Sequence, residues 1–251
     1  MLPEPYYRSP DGRHTIYHAD CRDVLTGLLP GSVDAVVTDP PYGIVEGAAF
    51  KRGANSIEGG EGDFNSGGCG WEWLEDQSFL KTGGNVASFH RRGDPLPDTL
   101  IHWHRFYLVK SNPYPTPRPV FCSGVEECTI ANRPGGKRTW NGGGSTPNYV
   151  VCSMAEGHLP GLEHKSPKPL KAILILVRCL SYPGDLVLDP FLGSGTTSVA
   201  CVQTGRRSIG IEQNERYCEI AVQRLERTLA QPTLFVQERI TDAQESLELT
   251  G

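Results

Sequence analysis

The sequence predicts an α/β protein built on a doubly wound, mostly parallel sheet. The first observation is a set of short apolar runs rich in β-branched residues, such as 33–38 and 185–189, which are typical of strands buried on both faces. The second is that segments with helical spacing of apolar residues, such as 21–29 and 170–181, alternate with these runs. Because parallel strands are joined by crossover connections, this alternation favours a parallel sheet.

Residues 1–110 follow this order of strands and helices. We expect strands at 15–18, 33–38, 85–89 and 105–109, and helices at 21–29, 71–80 and about 95–104. Pro30 and Gly31 end the first helix. Pro40 and Pro41 stop the strand 33–38, because proline fixes φ and has no N–H to donate.

Residues 43–70 are predicted to form a loop. They are rich in glycine and polar residues, and Phe50 and Phe64 are their only aromatic side chains. A loop of this length in a compact domain is usually functional or disordered. Because it begins directly after Tyr42, we expect it to act as a mobile lid.

Residues 111–148 interrupt the alternation. Their prolines favour extended chain, and residues 120–131 are predicted to supply two short strands at the edge of the sheet. We interpret 132–162 as a small insertion on a basic face. The alternation then resumes, with helices at 170–181, at 214–230 and in a segment ending at about 204, strands at 185–189 and 207–212, and a loose acidic tail at 231–251.

Composition indicates one domain, 1–251, without a membrane span. No apolar run reaches the length needed to cross a bilayer, and the N-terminus has no export signal. None of the eight cysteines forms a Cys-x-x-Cys pair, so we expect reduced thiols, no metal site and a cytoplasmic location.

Charge is distributed unevenly along the chain. The formal net charge is −5, but residues 81–178 hold 13 Lys and Arg against 6 Asp and Glu, whereas the remainder holds 11 against 23. A basic middle region in an acidic chain favours an electrostatic footprint on one face, as in nucleic-acid binding, although a solvated basic surface has the same composition.

The strand 185–189 is followed by a glycine loop and a helix. Glycines at 193 and 195 allow backbone N–H groups to approach a ligand at the start of the helix, and Glu212 ends the next strand, where an acid can bridge two ribose hydroxyls. The third glycine of a dinucleotide motif is replaced by Ser198, and Asp189 would repel a pyrophosphate. The pattern therefore favours S-adenosylmethionine over NAD or FAD.

The strand 33–38 ends in Asp39-Pro40-Pro41-Tyr42. Functional groups of open α/β sheets lie just beyond the carboxyl ends of the strands. A carboxylate, a rigid carbonyl-bearing turn and an aromatic face in that position suit a flat ring that carries an amine. The alternative is a structural turn in which Tyr42 packs on the core.

Together the two motifs resemble those of the DNA amino-methyltransferases. Asp39-Pro40-Pro41-Tyr42 is similar to the catalytic motif of that family, and 189–197 is similar to its cofactor loop. The catalytic motif comes first here, an order that resembles the beta class. Further similarities are His18-Ala19-Asp20, the Lys-Pro within 164–169, and Glu212.

The resemblance implies a Rossmann-like methyltransferase fold and a role for each matching residue. Glu212 would bind the ribose hydroxyls and Asp20 the adenine amine of S-adenosylmethionine. Asp189 and the 193–195 backbone would hold its methionine end, with Lys168 near the carboxylate or at the helix edge. The cofactor residues implied are Asp20, Lys168, Asp189, Phe191, Gly193, Ser194, Gly195, Thr196 and Glu212. The catalytic residues implied are Asp39, Pro40, Pro41 and Tyr42, and 132–162 takes the place of the target-recognition segment.

The chemistry of an exocyclic amine suits these residues. A base in duplex DNA has to be flipped out, and Tyr42 offers a face on which it can stack. Asp39 and the Pro40 carbonyl can each accept an N–H from the amine, which frees the nitrogen lone pair to attack a methyl group, and this chemistry requires no metal. Within the family, Asp at the first motif position favours adenine N6 over cytosine N4.

The predicted partner is therefore double-stranded DNA, and a homodimer is compatible with the sequence. The alternatives are an N4-cytosine enzyme, a methyltransferase for RNA or for protein glutamine, and a non-catalytic DNA-binding relic. A nicotinamide-dependent oxidoreductase is disfavoured by Ser198 and Asp189.

Overall fold

A computed structural model describes residues 2–41, 71–89, 97–113, 124–153 and 167–231. Tyr42, the predicted lid at 43–70, the 154–162 part of the predicted insertion and the tail after Gln231 lie outside these ranges. None of the helices in the described part of the chain is long and apolar enough to cross a membrane.

The described residues form one sheet of nine strands with helices packed on both faces. The strands are β1 (Tyr7–Arg8), β2 (His14–His18), β3 (Val33–Thr38), β4 (Leu80–Phe89), β5 (Ile101–Lys110), β6 (Val125–Asn132), β7 (Tyr149–Cys152), β8 (Leu186–Asp189) and β9 (Arg207–Glu212). The helices are α1 (Cys21–Leu25), α2 (Leu170–Leu180), α3 (Thr196–Gln203) and α4 (Glu215–Leu229), with a 3₁₀ turn at Glu72–Leu74.

The strand order is β1-β2-β9-β8-β3-β4-β6-β5-β7. The centre, from β2 to β4, is entirely parallel, whereas β6 runs antiparallel to both of its neighbours and β1 runs antiparallel to β2. The prediction of a doubly wound, mostly parallel sheet is therefore confirmed. The carboxyl ends of the central strands lie together at one edge, which we call the carboxyl edge; the opposite one is the amino edge.

The core explains why the central strands are apolar on both sides. In β3, Val33, Ala35, Val36 and Val37 are fully buried, because α2 and α3 cover one face and α1 with the 3₁₀ turn covers the other. The six cysteines in the described residues are buried free thiols.

The helix predicted at 71–80 is wrong. That segment holds only the 3₁₀ turn, and β4 begins at Leu80. Trp73 and Leu74 are buried in the core, and the Asp76 carboxylate accepts a hydrogen bond from the Ser78 N–H at 2.8 Å, which turns the chain. Local side-chain bonding of this kind competes with helix formation.

The helix predicted at about 95–104 is also wrong where the structure describes it, because β5 begins at Ile101. Pairing with β6 extends along the whole of β5 and overrides the helical pattern. The two short strands predicted within 120–131 are replaced by β6 in the described part of that segment. Neither β1 nor β7 was among the predicted strands.

Part of the predicted insertion lies at the amino edge. Because β6 runs antiparallel to β4, it ends at that edge, and β7 starts there. The connection 133–148 therefore lies opposite the carboxyl edge and docks on the end of α2, where the Asn141 N–H donates to the Cys179 carbonyl at 2.8 Å. Its Trp140 carbonyl accepts a hydrogen bond from the Tyr182 hydroxyl at 3.2 Å.

Arg206 is a buried cation that satisfies the carboxyl end of α2. Its guanidinium donates to the Ser181 carbonyl at 2.6 Å and to the Arg178 carbonyl at 3.3 Å. The last carbonyls of a helix have no partner within the helix, so these bonds compensate for their burial. This contact fixes α2 beside the central strands.

We expect Arg206→Met to lower the free energy of unfolding by about 3 kcal/mol, because it leaves buried helix-end carbonyls without donors. The matched control is Arg207→Met, which removes one exposed bond to the Gly184 carbonyl and should cost under about 1 kcal/mol. Urea denaturation measures both changes. Equal losses in the two variants would contradict this assignment.

Candidate active site

The two predicted motifs meet through one hydrogen bond at the carboxyl edge. Thr38 ends β3 and Asp189 ends the neighbouring strand β8, and the Thr38 hydroxyl donates to Asp189 Oδ1 at 2.7 Å. The Phe191 N–H donates to the same oxygen at 3.1 Å. The turn that carries Asp39 and the glycine loop therefore start from one fixed point.

Asp189 is a buried carboxylate, only 4% exposed. Burial raises the pKa of Asp189 to about 6, and the donors Thr197, Thr38 and Phe191 only partly offset that effect. The group is thus charged at neutral pH at an energetic cost. A cationic group of a ligand placed beside it would reduce this cost.

Glu212 ties the end of β9 to the glycine loop. The Gly193 N–H donates to Glu212 Oε2 at 2.9 Å, and the Asn214 N–H donates to Oε1 at 2.8 Å. Burial raises the pKa of Glu212, against the lowering effect of these hydrogen bonds. The carboxylate is therefore oriented by the backbone at the position predicted for a ribose ligand.

Gly195 starts α3 in a conformation that requires glycine. Its φ is +85°, and a Cβ added there would lie 2.8 Å from the Cβ and 3.0 Å from the Cα of Ala221 on α4. The helix α4 can therefore approach the loop this closely only because residue 195 is a glycine, which has no side chain.

Arg224 supports the loop from behind, and the sequence did not single it out. Its Nη1 donates to the Ser194 carbonyl at 2.5 Å, to the Ser194 hydroxyl at 2.9 Å and to the Thr196 hydroxyl at 3.2 Å. Burial lowers the pKa of Arg224 to about 10, so it remains a cation at neutral pH. In the sequence it is one of several charged residues on an amphipathic helix.

Asp39 forms an ion pair with Lys168, whose Nζ lies 2.6 Å from Asp39 Oδ2. Lys168 precedes α2 and also lies 3.1 Å from Glu126 Oε2. The structure thus places this lysine between two carboxylates, a neighbourhood the sequence did not predict. Pro40 is buried behind Asp39, and Pro41 is partly buried.

Asp20 lies at the start of α1 and caps that helix. It accepts a hydrogen bond from the Arg22 N–H at 2.9 Å and forms an ion pair with the Arg22 guanidinium. Gln213 Nε2 donates to Asp20 Oδ2 at 2.8 Å, so Asp20 is joined to the residue that follows Glu212. His18 pairs directly with Glu212 across β2 and β9.

A cleft that is open to solvent lies at this edge of the sheet. The predicted site residues that line it are Asp39, Lys168, Asp189, Phe191, Gly193, Ser194 and Thr196. Asp20, Pro40, Pro41, Gly195 and Glu212 are not in its lining. Trp73, which the sequence did not identify, packs edge-on against Phe191 with ring centroids 5.6 Å apart.

The cleft supplies carboxylates, backbone donors and one lysine. Among the described residues no cluster of His, Cys, Asp and Glu could hold a metal ion. The arrangement can hold a cationic ligand at Asp189 and present the Asp39 carboxylate to a second molecule.

Comparison with known proteins identifies the architecture first. The solved structure of M1.HpyAVI in complex with SAM is 26% identical in sequence, with a TM-score of 0.63 over 84% of this chain and 100% of that one. The PvuII DNA methyltransferase (cytosine-N4-specific) has a TM-score of 0.67 over 96% of this chain and 92% of its own, and at 17% identity it supports the fold alone. The fold is the Rossmann-like fold of S-adenosylmethionine-dependent methyltransferases.

The sequence comparisons find similarity to DNA methyltransferases. A family model for N6 and N4 enzymes, described as DNA methylase, matches residues 132–223, which include the glycine loop and Glu212. The Type II methyltransferase M2.MboI of Moraxella bovis is 27% identical over 89% of this chain and 92% of its own length. In these comparisons the chain is similar to the DNA amino-methyltransferases, a family that includes adenine-N6 and cytosine-N4 enzymes.

We expect Gly195→Ala to reduce the free energy of unfolding by about 3 kcal/mol, because the new methyl group combines an unfavourable φ with a clash against Ala221. Gly184→Ala is the matched control, with a φ of +88° but nothing within 4 Å of the added Cβ, and should cost only about 1 kcal/mol. Urea denaturation measures both losses, and the difference between them gives the cost of the clash with Ala221 apart from the cost of the positive φ. Equal costs would show that the contact with α4 is unimportant.

Asp189 should make stability depend on pH. Its pKa is about 6 in the folded protein against an ordinary 3.8, so its stabilising contribution is complete below 3.8 and is lost as pH rises through about 6. Between roughly pH 5 and pH 7.5 the wild type should lose about 1 kcal/mol relative to Asp189→Asn. Urea denaturation without ligand at both pH values measures this difference. If the stability difference between the wild type and Asp189→Asn were the same at both pH values, the raised pKa of Asp189 would be contradicted.

Proposed function

We propose that this protein transfers a methyl group from S-adenosylmethionine to the exocyclic N6 amine of adenine in double-stranded DNA. The observation that carries the proposal is the Thr38–Asp189 hydrogen bond. It joins the turn that carries Asp39 to the glycine loop, so a loop suited to the methyl donor and a carboxylate suited to the amine share one cleft.

The chain's own residues fit S-adenosylmethionine. Asp189 offers a buried negative charge for a cationic group, and its Oδ1 accepts hydrogen bonds from the Thr38 hydroxyl and the Phe191 N–H. Glu212 offers an oriented carboxylate for the ribose hydroxyls. Asp20, which is proposed to bind the adenine amine, accepts a hydrogen bond from Gln213, the residue after Glu212. When bound, the cofactor supplies a methyl group on a positively charged sulfur.

Asp39 and Pro40 are assigned to the target amine. The lone pair of an exocyclic amine is delocalised into the ring, so the nitrogen is a weak nucleophile. An N–H donated to the Asp39 carboxylate and another to the Pro40 carbonyl orient the nitrogen and localise its lone pair. The carboxylate would also stabilise the positive charge on nitrogen as the methyl carbon exchanges its bond to sulfur for a bond to nitrogen. The sulfur would leave as the neutral thioether of S-adenosylhomocysteine, and the methylated nitrogen would lose one proton to solvent.

Adenine is favoured over cytosine by the aspartate at the first position of the Asp39 motif. Tyr42 is proposed to stack on the flipped base, since a base within a duplex cannot reach the cleft. The excess of Lys and Arg over 81–178 supports binding to the phosphate backbone, which should weaken steeply with salt.

Incubation with labelled S-adenosylmethionine and unmethylated DNA should place label in duplex DNA. Asp39→Asn should lower the rate at least about 100-fold, because it removes the charge that stabilises the reacting amine. Digestion of the DNA and mass spectrometry should identify the product nucleoside as N6-methyl-2′-deoxyadenosine.

Asp34→Asn provides the matched control for this experiment. Asp34 lies on the same strand at the amino edge, where it pairs with Lys81 at 3.2 Å, and its variant should stay within about threefold of the wild-type rate. Detection of N4-methylcytosine instead would show that the target base is cytosine and not adenine. Label in RNA or protein but not in DNA would overturn it.

A further inference from the structure

A chain of four alternating charges extends from the catalytic turn into the antiparallel part of the sheet. Lys110 Nζ lies 2.6 Å from Glu126 Oε1, Lys168 Nζ lies 3.1 Å from Glu126 Oε2, and Lys168 Nζ lies 2.6 Å from Asp39 Oδ2. We call these four residues the charge chain. Its two inner members, Glu126 and Lys168, separate Asp39 from Lys110.

The charge chain is built into the fold. Lys110 ends β5 and Glu126 lies near the start of β6, and both lie on the face that carries the buried Leu108 and Cys128. The Lys168 side chain is only 11% exposed, and its Nζ lies 5.0 Å from the centre of the Phe89 ring. Charges in such surroundings interact more strongly than charges at the surface.

Both inner groups are ionised at neutral pH. Burial alone would lower the pKa of Lys168, but Asp39 and Glu126 outweigh it and raise that pKa. Burial alone would raise the pKa of Glu126, but Lys168 and Lys110 lower it. Among the described residues, the Cys128 thiol also interacts with Lys168, and the Asp189 carboxylate interacts with Asp39.

Glu126 Oε2 is buried, and the Lys168 ammonium lies 3.1 Å away. Glu126 therefore compensates the lysine charge at close range.

Lys168 presents a problem for the transfer step. The reacting amine nitrogen becomes positive, and the Asp39 carboxylate stabilises that charge, but an ammonium 2.6 Å from Asp39 largely cancels its field. A second carboxylate on the far side of the ammonium offsets part of its positive potential. The four residues of the charge chain carry no net charge, whereas without the charge of Glu126 the remaining three would carry one net positive charge.

We propose that Glu126 is a positioning residue for methyl transfer, which acts through Lys168 by offsetting its charge beside Asp39. This inference rests on the proposed function, because it assumes that Asp39 faces the target amine. Lys110 holds Glu126 from the other side and keeps its carboxylate beside Lys168.

The variant that tests the proposal is Glu126→Gln. It keeps the shape of the side chain and removes the charge, so kcat should fall about 10-fold or more while KM for S-adenosylmethionine and for DNA changes less than about threefold. Glu126→Asp, which retains a carboxylate, should recover most of the rate. Thermal unfolding of each variant shows that the fraction folded at the assay temperature is unchanged.

Glu127→Gln is the matched control, with the same substitution one residue along β6. Its side chain lies on the opposite face, where it pairs with Arg105 at 3.1 Å, and its kcat should equal that of the wild type. Equal kcat for Glu126→Gln and Glu127→Gln would overturn the inference while the proposed function stands. A wild type that places no label in DNA would overturn the proposed function, and this inference with it.

A double-mutant cycle separates action through Lys168 from a general structural role. In a Lys168→Met background, Glu126 has no lysine charge to offset beside Asp39, so Glu126→Gln should change the rate less than about twofold. Single-turnover assays with excess enzyme follow the slow rates of this background. A full 10-fold effect of Glu126→Gln in that background would overturn the proposal.

Discussion

The hydrogen bond between Thr38 and Asp189 is the contact on which the rest of the site depends. Each residue ends a central strand, and the two strands are neighbours although the residues are 151 positions apart in sequence. Separating them would leave a buried carboxylate short of a donor, which is costly. The turn that carries Asp39 and the glycine loop thus begin at the same contact, which fixes the orientation of one relative to the other.

The two halves of the sheet contribute different things to the cleft. The parallel half supplies the glycine loop, which Glu212 contacts from the end of β9 and Arg224 supports from α4. The antiparallel half supplies Lys110 and Glu126, whose ion pairs lead to Lys168 beside Asp39. In the proposed function, ligand binding and activation of an amine belong to separate parts of one sheet, with Lys168 between them.

Local signals predicted the parallel half well. The strand predicted at 207–212 is β9 itself, because a short apolar run between a glycine turn and an acid needs no distant partner to be recognised. The segment 95–104 failed because its strand depends on pairing with β6, more than twenty residues away. Glu126 and Arg224 were missed for a related reason. A charged residue at the edge of a strand or on an amphipathic helix has the sequence pattern of a solvated surface, and only tertiary contacts give it another role.

The charge chain also bears on how the site is assembled. Its members come from the turn after β3, the end of β5, the start of β6 and the residues before α2, so the two ion pairs of Lys168 join segments far apart in sequence. Contacts of this kind form only after long loops have closed. A molecule whose antiparallel edge has detached would keep its glycine loop and its Thr38–Asp189 contact but lose the ion pair of Glu126 with Lys168. The charges around the Asp39 carboxylate, at the centre of the sheet, thus depend on β5 and β6 staying in place at its antiparallel edge.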